Sequence, residues 1–110
     1  MGVYSISVVG ESFDDRQRTI SKCRAGAKAF LVREPENKYD ENAIAVYTEV
    51  GIFKSRKQIG YIGRDNAEWM AEIIDGDGDI QATIEKIIGG EEDKPSLGVI
   101  LKIRTADDVD

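Results

Sequence analysis

Two apolar runs, Ala29-Phe30-Leu31-Val32 and Ala43-Ile44-Ala45-Val46-Tyr47, flank a polar stretch, Arg33-Glu34-Pro35-Glu36-Asn37-Lys38-Tyr39-Asp40-Glu41-Asn42, and this arrangement restricts the fold more than any other feature. Both runs have the length of strands and fall short of a stable helix. Pro35 fixes its own φ and pushes Glu34 out of the α region, so the first run ends there and the chain turns. Asn37, Asp40 and Asn42 supply side-chain oxygens that hold a tight loop together. The two runs are therefore expected to pair antiparallel across the loop. Tyr39-Asp40, a ring beside a carboxylate at the loop tip with Arg33 and Lys38 nearby, is more chemistry than a connection needs.

The rest of the chain reads in the same style. Tyr4, Ile6 and Val8 alternate with Ser5 and Ser7 as in a half-buried strand. After the break at residues 10–15, Asp14 or Asp15 is placed to cap a short helix over 16–25, with Ile20 and Cys23 on its apolar side and Gly26 as its stop. Residues 51–57 read as a basic connection and residues 58–62 as the next strand. Asp65 with Glu68 reads as a capping box, and Ala67, Met70, Ala71 and Ile74 follow at helical spacing, widened by Trp69 and Ile73. Trp69 and Met70 are read as core or its rim.

Asp75-Gly76-Asp77-Gly78-Asp79 has the alternating carboxylates of a calcium loop, but Ile80 and Lys86 stand where such a loop needs glycine and glutamate, so it reads as a turn. Residues 80–88 form a strand, 89–95 a polar loop and 97–103 a last strand. Residues 1–104 make one domain and 105–110 a solvated acidic tail. Six short strands and two helices give a mainly β fold, a small antiparallel barrel capped by helices.

Composition removes whole classes of function. At 110 residues the chain has room for one core. Without histidine it has neither the usual four-ligand zinc sites nor a Ser-His-Asp or Cys-His arrangement, and the lone Cys23 has no internal disulfide partner. No cofactor or metal is expected. The N-terminus lacks a basic segment followed by an apolar run, and no apolar stretch reaches bilayer length, so a cytoplasmic chain without a membrane partner is expected.

The net charge of -6 conceals an asymmetry. Residues 1–64 hold eleven Lys and Arg against eight Asp and Glu, and residues 65–110 hold four against thirteen. Ten of the fifteen basic residues lie in two acid-free runs, 16–33 and 54–64, on either side of the polar loop. Charge runs are usually solvated faces. A nucleic-acid site needs cations for phosphates, aromatic faces for bases and, at a strand end, an acceptor for the terminal hydroxyl. Phe13, Tyr39 and Tyr61 offer faces, Arg33, Lys38 and Arg64 offer charge, and Asp40 offers the acceptor. Each has a plain structural reading too: Tyr39 as a cover for the core's edge, Asp40 as a turn cap, Arg33 as a partner of Glu34 or Glu36.

The run Leu31-Val32-Arg33-Glu34-Pro35-Glu36-Asn37-Lys38-Tyr39-Asp40-Glu41-Asn42-Ala43-Ile44-Ala45-Val46, with Val9-Gly10 and Gly26 before it and Ile59-Gly60-Tyr61-Ile62 after it, resembles the HIRAN domain family. The likeness covers most of residues 4–85. It implies an OB-like barrel that binds the 3'-hydroxyl end of single-stranded DNA, alone or attached to a DNA helicase, nuclease or other DNA-processing protein. By position, Tyr39 and Asp40 would contact the terminal nucleotide, Phe13 would stack, and Tyr61 and Arg64 would lie near the phosphates. Ser12 stands where the family's best understood member has an arginine, and Lys94-Pro95 brings no aromatic to the loop before the last strand. The alternative is a protein-interaction or regulatory module that keeps this fold without end binding. A metal-dependent phosphodiesterase using Asp40, Glu34 and Glu36 finds no paired-carboxylate motif.

Overall fold

The computed structural model describes residues 2–106. Its elements in chain order are β1 (Gly2–Val9), α1 (Asp14–Ile20), β2 (Lys28–Arg33), β3 (Ile44–Val50), β4 (Ser55–Ile62), α2 (Arg64–Asp75), β5 (Ile80–Glu91) and β6 (Lys94–Thr105). The strands close into an antiparallel barrel in the order β1-β4-β3-β2-β5-β6. The expected mainly β class and helix-capped antiparallel barrel are what the chain forms. Among the described residues no helix is long and apolar enough to cross a membrane.

The barrel consists of two tightly paired halves joined by thin seams. β3 pairs along β2 from Ala29↔Thr48 to Arg33↔Ile44, as the flanking apolar runs require, and along β4 from Ala45↔Tyr61 to Val50↔Ser55. β5 and β6 form a long hairpin, with β1 laid along β6. The halves meet through Val8↔Ile62 and Val9↔Tyr61 on one side and Lys28↔Thr83 and Ala29↔Ala82 on the other.

Inside lie Ile6, Val8, Val46, Ile59, Ile84, Val99, Leu101 and Ile103, each buried. α2 adds Ala67, Met70 and Ala71, the face that its helical spacing predicts. Burying a methionine side chain fully contributes about 1.5–3 kcal/mol. Trp69 lies at the rim, its ring 4.8 Å from that of Tyr4 and its indole N–H donated to Asn66 Oδ1 at 3.0 Å.

Several boundaries differ from the expectation, each for a local reason. α1 starts earlier and stops at Ile20, with Phe13 at its N-cap, so Asp14 and Asp15 stand at the first two helical positions and not at the cap. Beyond Ile20 the Ser21 hydroxyl donates to the Arg18 carbonyl at 2.6 Å and the Cys23 thiol donates to that of Thr19 at 3.3 Å. Such side-chain bonds draw the chain into turns. Burial pushes the Cys23 thiol up, further from its reactive form.

α2 begins at Arg64 with Gly63 as its N-cap, so the capping box at Asp65 does not form. Asp65 sits in the first turn instead, where a carboxylate meets the positive end of the helix dipole. The helix ends as bonds run from Gly78 N–H to Ile73 and from Asp77 N–H to Ile74, with Asp77 left-handed at φ 59°. That is a Schellman ending, which explains the turn at Asp75–Asp79.

β4 begins at Ser55, because Arg56 and Lys57 pair with Glu49 and Thr48, and the turn shrinks to residues 51–54. Residues 89–95 are strand and tight turn where a loop is expected, with β5 and β6 paired out to Glu91↔Lys94. The glycine pair that signals a loop carries bulges: Gly89 has φ 82°, and a Cβ there would collide with the Ser96 carbonyl. Thr105 is buried within β6, and its hydroxyl accepts the Gly2 N–H at 3.2 Å. The remainder of the expected acidic tail, residues 107–110, lies outside the described residues.

Candidate nucleic-acid interface

The loop over residues 34–43 is held by its own side chains. Glu34 N–H extends the β2–β3 ladder to the Ala43 carbonyl at 2.9 Å, and turns close at Asn37 N–H to Glu34 O (3.0 Å) and Ala43 N–H to Asp40 O (3.1 Å). Asn37 Oδ1 accepts the amides of Tyr39 (2.8 Å) and Asp40 (3.2 Å), and Asp40 Oδ1 accepts that of Asn42 (2.9 Å). These side chains do what Asn and Asp do in turns.

Glu34 is the hinge between loop and barrel. Its Oε1 accepts from Asn37 Nδ2 at 3.0 Å and from the Tyr61 hydroxyl at 2.9 Å. A carboxylate held this way sets the ring of Tyr61. Among the described residues, no group of three or more His, Cys, Asp or Glu side chains is gathered as a metal would need.

An open depression of about 430 Å³ lies between this loop, the end of β1, α1 and the end of β4. Its walls include Val9, Gly10, Phe13, Arg16, Asn37, Tyr39, Asp40, Tyr61 and Arg64. Tyr39 and Phe13 are 82% and 64% exposed, so their faces are available to a ligand. The Arg64 guanidinium donates to the Tyr39 carbonyl and stands 3.9 Å from Asp40 Oδ2. Five of the seven predicted site residues, Phe13, Tyr39, Asp40, Tyr61 and Arg64, thus line one depression.

Arg33 and Lys38 do not join them. Lys38 is exposed on the loop. Arg33 points the other way, its Nε and Nη2 donating to the two carboxylate oxygens of Asp75 at 2.9 and 3.0 Å and its Nη1 to the Ala43 carbonyl at 2.8 Å. Its partner is therefore the end of α2 and neither Glu34 nor Glu36. The bond from Arg33 holds the Asp75 carboxyl below its ordinary value.

A folded-state pKa that is lowered contributes stability above the unfolded value, and that contribution is lost as pH falls through the folded value. The stability gap between the native protein and Asp75→Asn, read by urea unfolding, is therefore expected to be constant at neutral pH and to close in acid. A gap that persists down to about pH 2 would show that Asp75 acts other than through its charge.

The sequence reading missed Arg16. Its guanidinium carbon lies 4.8 Å from the Phe13 ring centroid and 5.6 Å from that of Tyr61, and Nη1 donates to the Gly10 carbonyl at 2.6 Å. A cation over aromatic faces is stabilised by about 0.5–2 kcal/mol. The i, i+3 spacing from Phe13 at the start of a helix is the signal that points to it. α1 itself is fastened by Gln17, whose amide donates to the carbonyls of Leu97 (2.9 Å) and Glu11 (2.8 Å) and accepts the Leu97 N–H (2.8 Å).

Comparison with known proteins gives a relative in sequence and neighbours in structure. The chain is 30% identical over 96 residues to a Fanconi-associated nuclease 1 homolog of Arabidopsis thaliana, and that match takes in 87% of this chain but only 9% of the relative's length. In structure it resembles a protein from Lactobacillus plantarum at TM-score 0.64 and 26% identity, over 94% of this chain and 99% of that one. It also resembles the HIRAN domain of human HLTF at TM-score 0.58 and 20% identity, over 96% of this chain and 78% of that one. The HIRAN domain family profile matches residues 1–107. The loop, the barrel and the profile lead to one conclusion: this chain belongs to the HIRAN domain family.

Proposed function

We propose that this chain is a non-catalytic module that binds single-stranded DNA at its 3'-hydroxyl end. HIRAN domains are nucleic-acid-binding modules, and the plant relative's name places one such region in a nuclease. The observation that carries the finer reading is Asp40. A carboxylate in a site for a phosphate backbone repels what it is meant to hold. It suits a position where the chain of phosphates stops and a hydroxyl needs an acceptor.

Asp40 is two-sided: Oδ1 is engaged by the Asn42 amide, while Oδ2, with Arg64 at 3.9 Å, keeps capacity to accept. The exposed rings of Tyr39 and Phe13 offer stacking faces, and Arg16 and Arg64 supply positive charge for the last phosphates. With so few cations, binding is expected to be weak and its salt dependence shallow.

The test is a fluorescence-anisotropy titration of short single strands that differ only in carrying a 3'-hydroxyl or a 3'-phosphate. The hydroxyl end is expected to bind roughly tenfold tighter or more, the equivalent of one hydrogen bond to a charged group. Equal affinities would remove end recognition. No binding to either strand at low salt would favour a protein-interaction module.

A further inference from the structure

A second depression, about 580 Å³, lies where α1 crosses β4 and is lined by Asp15, Arg16, Arg18, Thr19, Lys57 and Gln58. It shares Arg16 with the first, so the two are neighbouring basins along one surface. Three of its six lining residues are cationic and one is acidic. That acid, Asp15, stands 3.1 Å from Arg18 with both side chains mostly exposed, and an exposed pair of this kind holds its partners loosely. Arg56, next to Lys57 in β4, faces elsewhere, its guanidinium 3.8 Å over the Phe30 ring, as the alternation of a strand requires. The cations of this basin thus belong to it and not to a general basic haze.

We infer that the α1–β4 groove carries the body of the single strand whose end occupies the first depression, with Arg18 and Lys57 on its phosphates. The inference rests on the end-binding reading and adds direction and length to it. Tyr61 lines the first basin and Lys57 the second, and across the bulge between them their β3 partners Ala45 and Thr48 are three residues apart, which is about 10 Å along the sheet. At the roughly 3.4 Å of a stacked nucleotide that distance accommodates about three residues of DNA. The groove lacks an exposed aromatic among its lining residues, so it grips backbone and is indifferent to base.

The experiment is a length series of oligothymidylates, two to eight nucleotides, each ending in a 3'-hydroxyl, titrated against the native protein and against R18Q/K57Q. In the native protein affinity is expected to rise roughly tenfold between two and six nucleotides and then level off. The double variant is expected to lose that rise and about 1.4 of the salt slope, the value for two phosphates on a single strand, while dinucleotide affinity stays unchanged. Equal affinity of the native protein for two and six nucleotides would overturn the groove, as would a double variant that binds the hexanucleotide like the native protein. Failure of the end-binding reading looks different: length dependence would remain, and 3'-hydroxyl and 3'-phosphate strands would bind alike at every length.

Discussion

Asp40→Asn is expected to erase the discrimination between a 3'-hydroxyl and a 3'-phosphate, with the fold intact. Asn is the informative replacement because its remaining oxygen can still accept the Asn42 amide that Asp40 Oδ1 accepts at 2.9 Å, so the loop keeps its turn. What changes is the other side of the group, where an anionic acceptor becomes a neutral amide.

Two effects then act in the same direction. The 3'-hydroxyl strand loses a hydrogen bond to a charged group, about 1.5–3 kcal/mol, and the 3'-phosphate strand gains because a repelling charge is gone. The ratio of the two affinities is expected to fall by roughly one to two orders of magnitude. Asp40→Ala should do the same to the ratio but also cost stability, since the Asn42 amide loses its partner. A variant that keeps the native preference in the anisotropy titration would move the recognition of the terminus to another residue.

Gly60→Ala is expected to be strongly destabilising, by about 3 kcal/mol. Gly60 sits where β1 meets β4, and a Cβ there would fall inside the van der Waals radii of the Val9 carbonyl oxygen and Val8 Cγ1. One of the two obstructing atoms is backbone, which cannot turn aside as a flexible side chain does. β1 would have to lift, and Val9 and Gly10 would leave the wall they share with Tyr61.

Gly63→Ala is the matching control. Its Cβ would stand 3.7 Å from Val9 Cγ1, an ordinary contact, and the change at an N-cap costs about 1 kcal/mol or less. Urea unfolding of the two variants measures the contrast. A Gly60→Ala protein within about 1 kcal/mol of the native one would mean that the seam adapts more easily than its geometry indicates.

Local chemistry made much of this molecule legible before its structure. The β2–β3 pair and its loop follow from two strand-length runs around Pro35 and the Asx residues, and the buried face of α2 follows from its 3.6-residue period. Elements that depend on partners distant in sequence were not legible. Arg33 finds Asp75 forty-two positions away, and Gln17 finds Leu97 eighty positions away. No period or turn signal encodes such meetings.

The polar composition of residues 89–95 suits a loop and a bulged hairpin alike, and only the strand across from them decides. Arg16 was hidden for a similar reason. Its neighbours Phe13 and Gly10 are local, but Tyr61 reaches it only through barrel closure. With Ser12 contributing no charge on that side, the guanidinium beside Phe13 comes from the first turn of α1.

The thin seam at Val8↔Ile62 and Val9↔Tyr61 has a consequence for how the protein responds to its ligand. The depression takes Val9 and Gly10 from the β1 side of that seam and Tyr39, Asp40, Tyr61 and Arg64 from the other, with Phe13 and Arg16 on the helix that packs over β4. If the barrel parts there, as a book opens at its spine, the site ceases to exist although every residue in it survives. Whatever occupies the depression therefore bolts the covers shut and slows amide hydrogen exchange along β1 and β4 in proportion to its concentration. Occupancy and closure are one equilibrium, and each reports on the other.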